Sequence, residues 1–499
     1  MRISHLALAS TLVLLPIAVT ACGSDDDTPG SGGSSGSGAQ GGTAGSGAGG
    51  SGAMGGSAGG GQGGTAGGGA QGGTAGGGGT AGGSSCDLSG TGLEHADVTA
   101  PAAGQTVTLT SDKVWDLKGK INVGDGSTLV IEPCTRIEGD GGSLGTLVIQ
   151  QGGKIMAEGT ETDPILFTSA LPAGSRAPGD WGGVIVLGKA PNFKVSGTTL
   201  PSIEGLNPGE GLYGGNEPDD NSGVMTYVRI EYSGVEIGDG NEINGLTLGS
   251  VGRGTTMHHI MISNTLDDCF EWFGGTVNAH HLVCNNAGDD MFDMDQGYQG
   301  SVQFLFGRQV APISDDPNGW ECDSDKGGAT PVSQVTASNV TLCGLGTDPA
   351  NPQYGAVFRE GLEGDYSNMI FTGFEASFDV RDDAGTTTAP KVKVTNTTVK
   401  GVTEDIAYAE SGATDNDNGF DEQAWFTAGT GNSVADPAID CGSAGVAPNP
   451  IPATAITGGT PLTTGAAGTA TGFDTSATYQ GGFGTDNWMT APWCDWAAN

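Results

Sequence analysis

The sequence predicts an all-β protein, a right-handed parallel β-helix (a solenoid of stacked coils) that follows a disordered glycine-rich linker. Three observations carry this expectation. The stretch Asp267–Gly275 is echoed 22 residues later by Asp289–Gly297, and His258-His259-Ile260 falls on His280-His281-Leu282 in the same register. From Cys86 onward, short β-rich runs alternate with Gly, Asn and Asp corners, with no convincing helical period. A repeat in the twenties built from such runs marks a solenoid in which each repeat is one coil. Many of the 94 glycines also lie in one block, so the remainder can still fold. Strands at this spacing suit a sandwich or propeller too, but the fixed self-match favours the β-helix.

In chain order, residues 1–21 read as a secretory signal: Arg2, an apolar run Leu6–Val19, then small residues. Val19-Thr20-Ala21-Cys22 matches the bacterial lipobox, which makes Cys22 the expected lipidation site and the link to a membrane. No other run approaches the ~18 apolar residues of a span, so the expectation is an anchored protein rather than a spanning one. Gly23 stands where an aspartate often retains lipoproteins at the inner membrane. The expected place is therefore the outer membrane, at the cell surface or on the periplasmic face. Residues 22–85 form a Gly/Ser/Ala/Thr tether, with Gly-Gly-Thr-Ala-Gly recurring at Gly41, Gly63 and Gly72. Such sequence buries too little apolar surface to offset chain entropy and stays disordered. On flexible-chain scaling its ends lie roughly 40–48 Å apart.

Formal charge is −39, which excludes nucleic acid as a natural partner and suits cations or basic surfaces. Besides Cys22 there are eight cysteines, Cys86, Cys134, Cys269, Cys284, Cys322, Cys343, Cys441 and Cys494, which allow up to four disulfides of open connectivity.

Residues 86–400 hold the predicted β-helix, and residues 401–499 its C-terminal coils and an aromatic cap in which Trp488, Trp493 and Trp496 cover the last coil. Expected strands include Thr128–Ile131 and its echo Thr146–Ile149 at an offset of 18, then Pro164–Thr168, Gly183–Gly188, Tyr227–Tyr232 and Gly245–Gly249. A single helical turn is expected near Asp421–Phe426. Phe270, Phe292, Trp320, Phe358 and Phe378 each precede a charged residue: Glu271, Asp293, Glu321, Arg359 and Asp379. Strand alternation sends Phe270 and Trp272 inward and Glu271 and Phe273 outward. An aromatic column then fills the core while carboxylates climb the outside.

Several blocks, Asp180-Trp181-Gly182-Gly183, Asn241–Thr247, Phe270–Asn278 and Gly482-Phe483-Gly484, resemble those of a large, functionally uncharacterised family of secreted bacterial lipoproteins with a pectin-lyase-like right-handed parallel β-helix. The resemblance runs from Cys86 to Asn499. It implies the fold and offers almost nothing on mechanism.

Chemistry is expected on the acidic face. Asp267, Asp268, Glu271, Asp289, Asp290, Asp293, Asp295, Glu321 and Asp323 crowd three coils. Stacked strands lie about 4.8 Å apart, and like charges at that distance repel by roughly 1 kcal/mol per pair even in water. Such a column recruits a cation, Ca²⁺ being the natural candidate, or splays its carboxylates into solvent. The expected role is surface binding or structure, with polysaccharide or surface proteins as partners. The alternative is a polysaccharide lyase or glycoside hydrolase, with Asp268, Asp290 and Arg359 as catalytic candidates. The fold's likeness to pectate lyases and polygalacturonases suggests that alternative. Against it, Arg229-Ile230-Glu231 lacks the lysine of the polygalacturonase block. Arg359 can equally be a structural ion-pair partner of Glu321 and Asp379. The four histidines 258, 259, 280 and 281 read either as a Zn²⁺ site or as a polar ladder. The segment Lys194–Gly223 is expected to leave the solenoid, as a lid over the acidic face or a corner cap.

Overall fold

The computed structural model describes residues 86–238, 241–313, 317–325, 327–346, 353–381, 391–410, 416–452 and 473–497. The expected signal, Cys22 and the tether lie outside these described residues. No described helix is long and apolar enough to cross a membrane.

Nine parallel strands stack into the first wall: Lys120–Val123, Thr146–Ile149, Val184–Leu187, Leu246–Gly249, Phe270–Phe273, Phe292–Asp295, Glu321–Cys322, Tyr354–Phe358 and Ala376–Val380. A second sheet of sixteen strands bends along a line of left-handed residues: Tyr227, His259, His281, Phe304, Asn339, Asn368 and Asn396, with φ from 49 to 58°. Pairing steps over this line, since Thr226 meets His258 and Val228 meets Ile260. Each long strand, such as Gly223–Glu231 or Thr256–Ser263, thus gives its residues before the corner to a second wall and those after it to a third. Asn and His tolerate positive φ better than most side chains, which suits them to this corner.

The register confirms the 22-residue step. Phe270 lies opposite Phe292, Glu271 opposite Asp293, and His258 opposite His280. Val184 and Leu246 are also neighbours although 62 residues separate them. That interval holds the predicted excursion and a hairpin of Val235–Gly238 with Asn241–Ile243.

Inward positions form the core. Phe270, Phe292 and Trp320 succeed one another at centroid distances of 5.4 and 6.0 Å, and Trp272 is fully buried beside them. Each such side chain contributes about 1.5–3 kcal/mol by leaving water. Gly139 is fixed by this packing, because a Cβ there would meet the Trp181 ring at 2.3 Å.

Three expectations are corrected, and the open cysteine pairing is resolved. The identical strings Thr128–Ile131 and Thr146–Ile149 do not stack: the first pairs with Thr106–Leu109 and Lys154–Glu158, the second with Lys120–Val123 and Val184–Leu187. They form different walls of one coil, and each simply suits a buried strand. Phe358 is level with Cys322, not Trp320, because Glu321 pairs with Val357. The inserted residues between those strands hid a two-residue slip that leaves Phe358 inward but one column over. Among the described residues three disulfides form, Cys86–Cys134, Cys269–Cys284 and Cys343–Cys441, while Cys322 and Cys494 stay outside any disulfide. Cys322 faces the core and Cys494 packs on an outer cluster, so the wall separates them.

The third correction concerns the C-terminal aromatics. The helix Glu422–Ala428, capped by Asp421 accepting from Ala424 N at 2.8 Å, closes the last coil, with Trp425 and Phe426 against Phe378. Residues 473–497 instead run along the outside as a strap. Phe483, Met489, Trp493 and Trp496 cover Met261, Val283 and Phe306, outward positions of the third wall. Asn339 Nδ2 donates to Tyr479 O at 2.8 Å, Gly482 N to Thr341 Oγ1 at 2.9 Å, and the Arg308 guanidinium lies 4.4 Å from the Trp496 ring.

Candidate functional site

The outward face of the first wall carries the acids that the sequence singled out. One column runs Thr247, Glu271, Asp293, Glu321, and then Val357 and Asp379. The next sets Phe273 beside Asp295. Its continuation through Asp323 to Arg359 follows from Asp323 N donating to Met294 O and Arg359 N to Cys322 O. Phe273 points outward as expected but offers no open platform, because Tyr213 of the excursion covers it at 6.2 Å. Tyr213 Oη donates to Gln296 Oε1 at 2.6 Å and pins the excursion there. Gly274 permits this approach: its φ is 70°, and a Cβ would stand 2.4 Å from the Cβ of Asn192.

Asp268 and Asp290 lie in the turns before these strands. Asp268 Oδ1 accepts from Asp290 N at 2.7 Å, Asp290 Oδ1 from Asn318 N at 3.1 Å, and Asn318 Oδ1 from Tyr354 N at 3.1 Å. One side-chain oxygen per coil thus fastens the next coil. Asp268 also joins two clusters of acids. Donor oxygens of Asp267, Asp268 and Asp289 lie within 4.8 Å of one another, as do those of Asp268, Glu271 and Asp293. Asp268 belongs to both sets.

Two acids that sequence reasoning missed complete the ridge. Glu204, from the excursion, and Glu242, from the hairpin, both act on Asp267 and raise its pKa beyond what burial and Asp289 already do. Neither repeats in the coil pattern, so spacing could not find them. Asn244 was findable, since Gly245-Leu246-Thr247 aligns with Cys269-Phe270-Glu271 and leaves Asn244 level with Asp268. Its Nδ2 donates to Glu271, while its Oδ1, in a residue only 1% exposed, has no hydrogen-bond partner among the described residues. Asp293 Oδ1 and Asp295 Oδ1 are likewise buried without one.

Burial, then neighbouring carboxylates, push these groups toward the neutral form. Asp295 is raised to about 7, chiefly by burial and then by Asp323, and Glu321 to about 8 by the same pair of causes. Asp268, Glu271 and Asp293 are raised as well, first by burial and then by neighbouring acids. Arg359 is the counter-charge: Nη2 lies 2.5 Å from both Glu321 Oε1 and Asp323 Oδ2, and Nε 2.7 Å from Asp323. Burial works against its charge, but the two carboxylates outweigh it and raise its pKa. Its ion-pair partners are Glu321 and Asp323 rather than the expected Glu321 and Asp379, since Asp379 pairs with Arg381 at 2.8 Å. A guanidinium held so firmly charged is a poor proton acceptor. The clustered carboxylate oxygens suit a hard cation that takes about six to eight flexible ligands.

The histidines form a packed stack. His259 lies parallel over His281 at 4.3 Å and His258 over His280 at 4.8 Å, with Tyr227 and Phe304 continuing the line. Between chain neighbours, Nδ1 of His258 lies 2.9 Å from Nδ1 of His259, and Nδ1 of His280 lies 2.7 Å from Nδ1 of His281. That is hydrogen-bond spacing, tighter than the roughly 3.3 Å between two nitrogens on tetrahedral zinc. The strap covers the stack through Trp488 and Trp493. Burial depresses His259 and His280 to about 3 and His281 to about 2.

No curated protein matches the chain. Among solved structures, the crystal structure of pectate lyase Pel9A is similar at 12% identity and a TM-score of 0.28, over 60% of this chain and 80% of that one. A family model for a pectate-lyase like beta helix domain matches residues 102–440. With two thirds of its length covered by that match and its coils stacked as described, the chain belongs to the pectate-lyase-like β-helix family.

Proposed function

We propose that this is a cell-envelope protein, anchored through lipid on Cys22 in the outer membrane, whose β-helix binds acidic glycan with the help of Ca²⁺ on the carboxylate ridge. The observation that carries the reading is the pair of carboxylate triads sharing Asp268, whose burial, and then whose crowding, hold their acids toward neutrality when no cation neutralises them. A divalent ion there would offer open coordination positions to the carboxylates of a uronate polymer lying along the coils. Successive coils present like groups at a near-constant step of about 4.8 Å, which suits a repeating ligand. Residues 1–21 as signal, 22–85 as tether and 86–499 as the displayed body complete the proposed arrangement.

A lyase or hydrolase in the same groove is the second reading, and the pectate lyase in the name of the solved structure keeps it in view. It is weaker, since Asp268 and Asp290 fasten coils and Arg359 is committed to Glu321 and Asp323. Purified protein titrated with polygalacturonate, with Ca²⁺ and with chelator, tests both. Ca²⁺-dependent binding without unsaturated or reducing products supports the binder. Product formation abolished in Arg359→Gln supports the enzyme, and no Ca²⁺-linked change in melting removes the metal. Loss of membrane association in Cys22→Ser tests the anchor.

A further inference from the structure

On the third wall, a cavity of about 360 Å³ opens where the N-terminal segment, the coils and the strap meet. Three of the chain's eight arginines line it, Arg136, Arg176 and Arg229, in a protein of net charge −39. Arg136 and Arg229 belong to two copies of Arg-Ile-Glu, at 136–138 and 229–231. The register places them in one outward column, two coils apart, with Leu166 between. Strand spacing sets their backbones about 9–10 Å apart.

These guanidiniums are prepared rather than loose. Arg136 and Arg229 are 5% and 7% exposed. Each is steadied by the glutamate two residues on: Arg136 Nε to Glu138 at 2.7 Å, Arg229 Nε to Glu231 at 3.2 Å. Arg136 Nη1 also donates to Leu88 O at 2.8 Å. Arg176, partly exposed, enters from the loop after Ile165–Ser169, with Nε donating to Leu171 O at 2.8 Å. Pro164 and Leu166 supply an apolar floor. Glu231 is held in turn by Thr168 Oγ1 at 3.1 Å. Asp495 differs, because it arrives on the strap, is 44% exposed, and lies 3.3 Å from Arg229 Nη1.

We propose that this cavity is an oxyanion-recognition site for the carboxylate or sulfate of an acidic sugar, with Asp495 as the internal carboxylate the ligand displaces. The guanidinium fork matches a planar or tetrahedral oxyanion in geometry as well as charge, and the apolar floor suits the face of a sugar ring. Recognition here needs no metal, which separates it from the ridge on the first wall.

The test is calorimetric titration of the full-length protein, in chelator, with oligogalacturonate, sulfated galactan and neutral galactan oligomers. Both charged ligands, or one of them, should bind, with neutral galactan about tenfold weaker or worse, the worth of one charge-assisted hydrogen bond. The ranking of carboxylate against sulfate names the source. Arg176→Ala should weaken charged ligands about tenfold without moving the melting point, and Asp495→Asn should tighten them. If Arg176→Ala shifts the melt, Arg176→Lys, which keeps the charge and loses the fork, reports instead. Equal binding of neutral galactan, no binding of either charged oligomer, or unchanged affinity in the Arg176 variant overturns the proposal. Chelator is present throughout, so such a failure leaves the Ca²⁺ reading of the ridge standing.

Discussion

The carboxylate ridge and the histidine stack are made by the same 22-residue step and reach opposite states. On the first wall, Glu271 and Asp293 become neighbours and repel. At the corner of the second sheet, His259 and His281 become neighbours and stack at 4.3 Å. The difference lies in what covers them. The strap seals the imidazoles in aromatic surroundings that favour their neutral form, whereas the excursion over the ridge brings in another acid, Glu204. A repeating sequence makes like groups adjacent, and non-repeating segments decide whether adjacency is useful.

Acid should separate the two most strongly. The histidine pKa values are depressed below the ordinary 6.5, so their stabilising contribution is complete above pH 6.5 and is lost as pH falls toward 3. Each imidazole kept neutral to pH 4 costs up to roughly 3 kcal/mol. Urea melts from pH 7 to 4 should fall steeply, and His259→Phe with His281→Phe should flatten the fall. The ridge has the opposite sign. Asp295 and Glu321 are raised from 3.8 and 4.5 to about 7 and about 8, so their contribution in chelated protein should decline as pH rises above the ordinary carboxylate range and be gone once it passes those values, and Ca²⁺ should restore it. Trp493→Ala uncovers the stack and should cost about 3–5 kcal/mol by thermal melting. Arg359→Met leaves Glu321 and Asp323 uncompensated and should cost about 3 kcal/mol in chelator, with Ca²⁺ returning most of it. Smallest is Asp293→Asn, which relieves repulsion and should stabilise chelated protein by about 1 kcal/mol while weakening its response to Ca²⁺.

Periodicity made the central coils legible. Phe270, Glu271, His258 and their partners at 292, 293 and 280 stand where the 22-residue step put them. It failed where loops change the step, as at Phe358, and where similar strings serve different walls, as at Thr128 and Thr146. Most of the ridge could be read because its acids repeat, whereas Glu204 and Glu242 could not because they come from insertions. The strap was misjudged for a related reason. Met261, Val283 and Phe306 are apolar at outward positions, a sign that something covers them, but alternation alone does not say what.

The strap has a bearing on biogenesis. Trp493 rests on Tyr227 and His259, strands laid down more than two hundred residues earlier. A chain emerging from a ribosome can wind those coils first, yet their greasy outer stripe stays bare until residues 473–497 arrive. During that interval the half-made solenoid needs a chaperone, or speed, to avoid sticking to its neighbours.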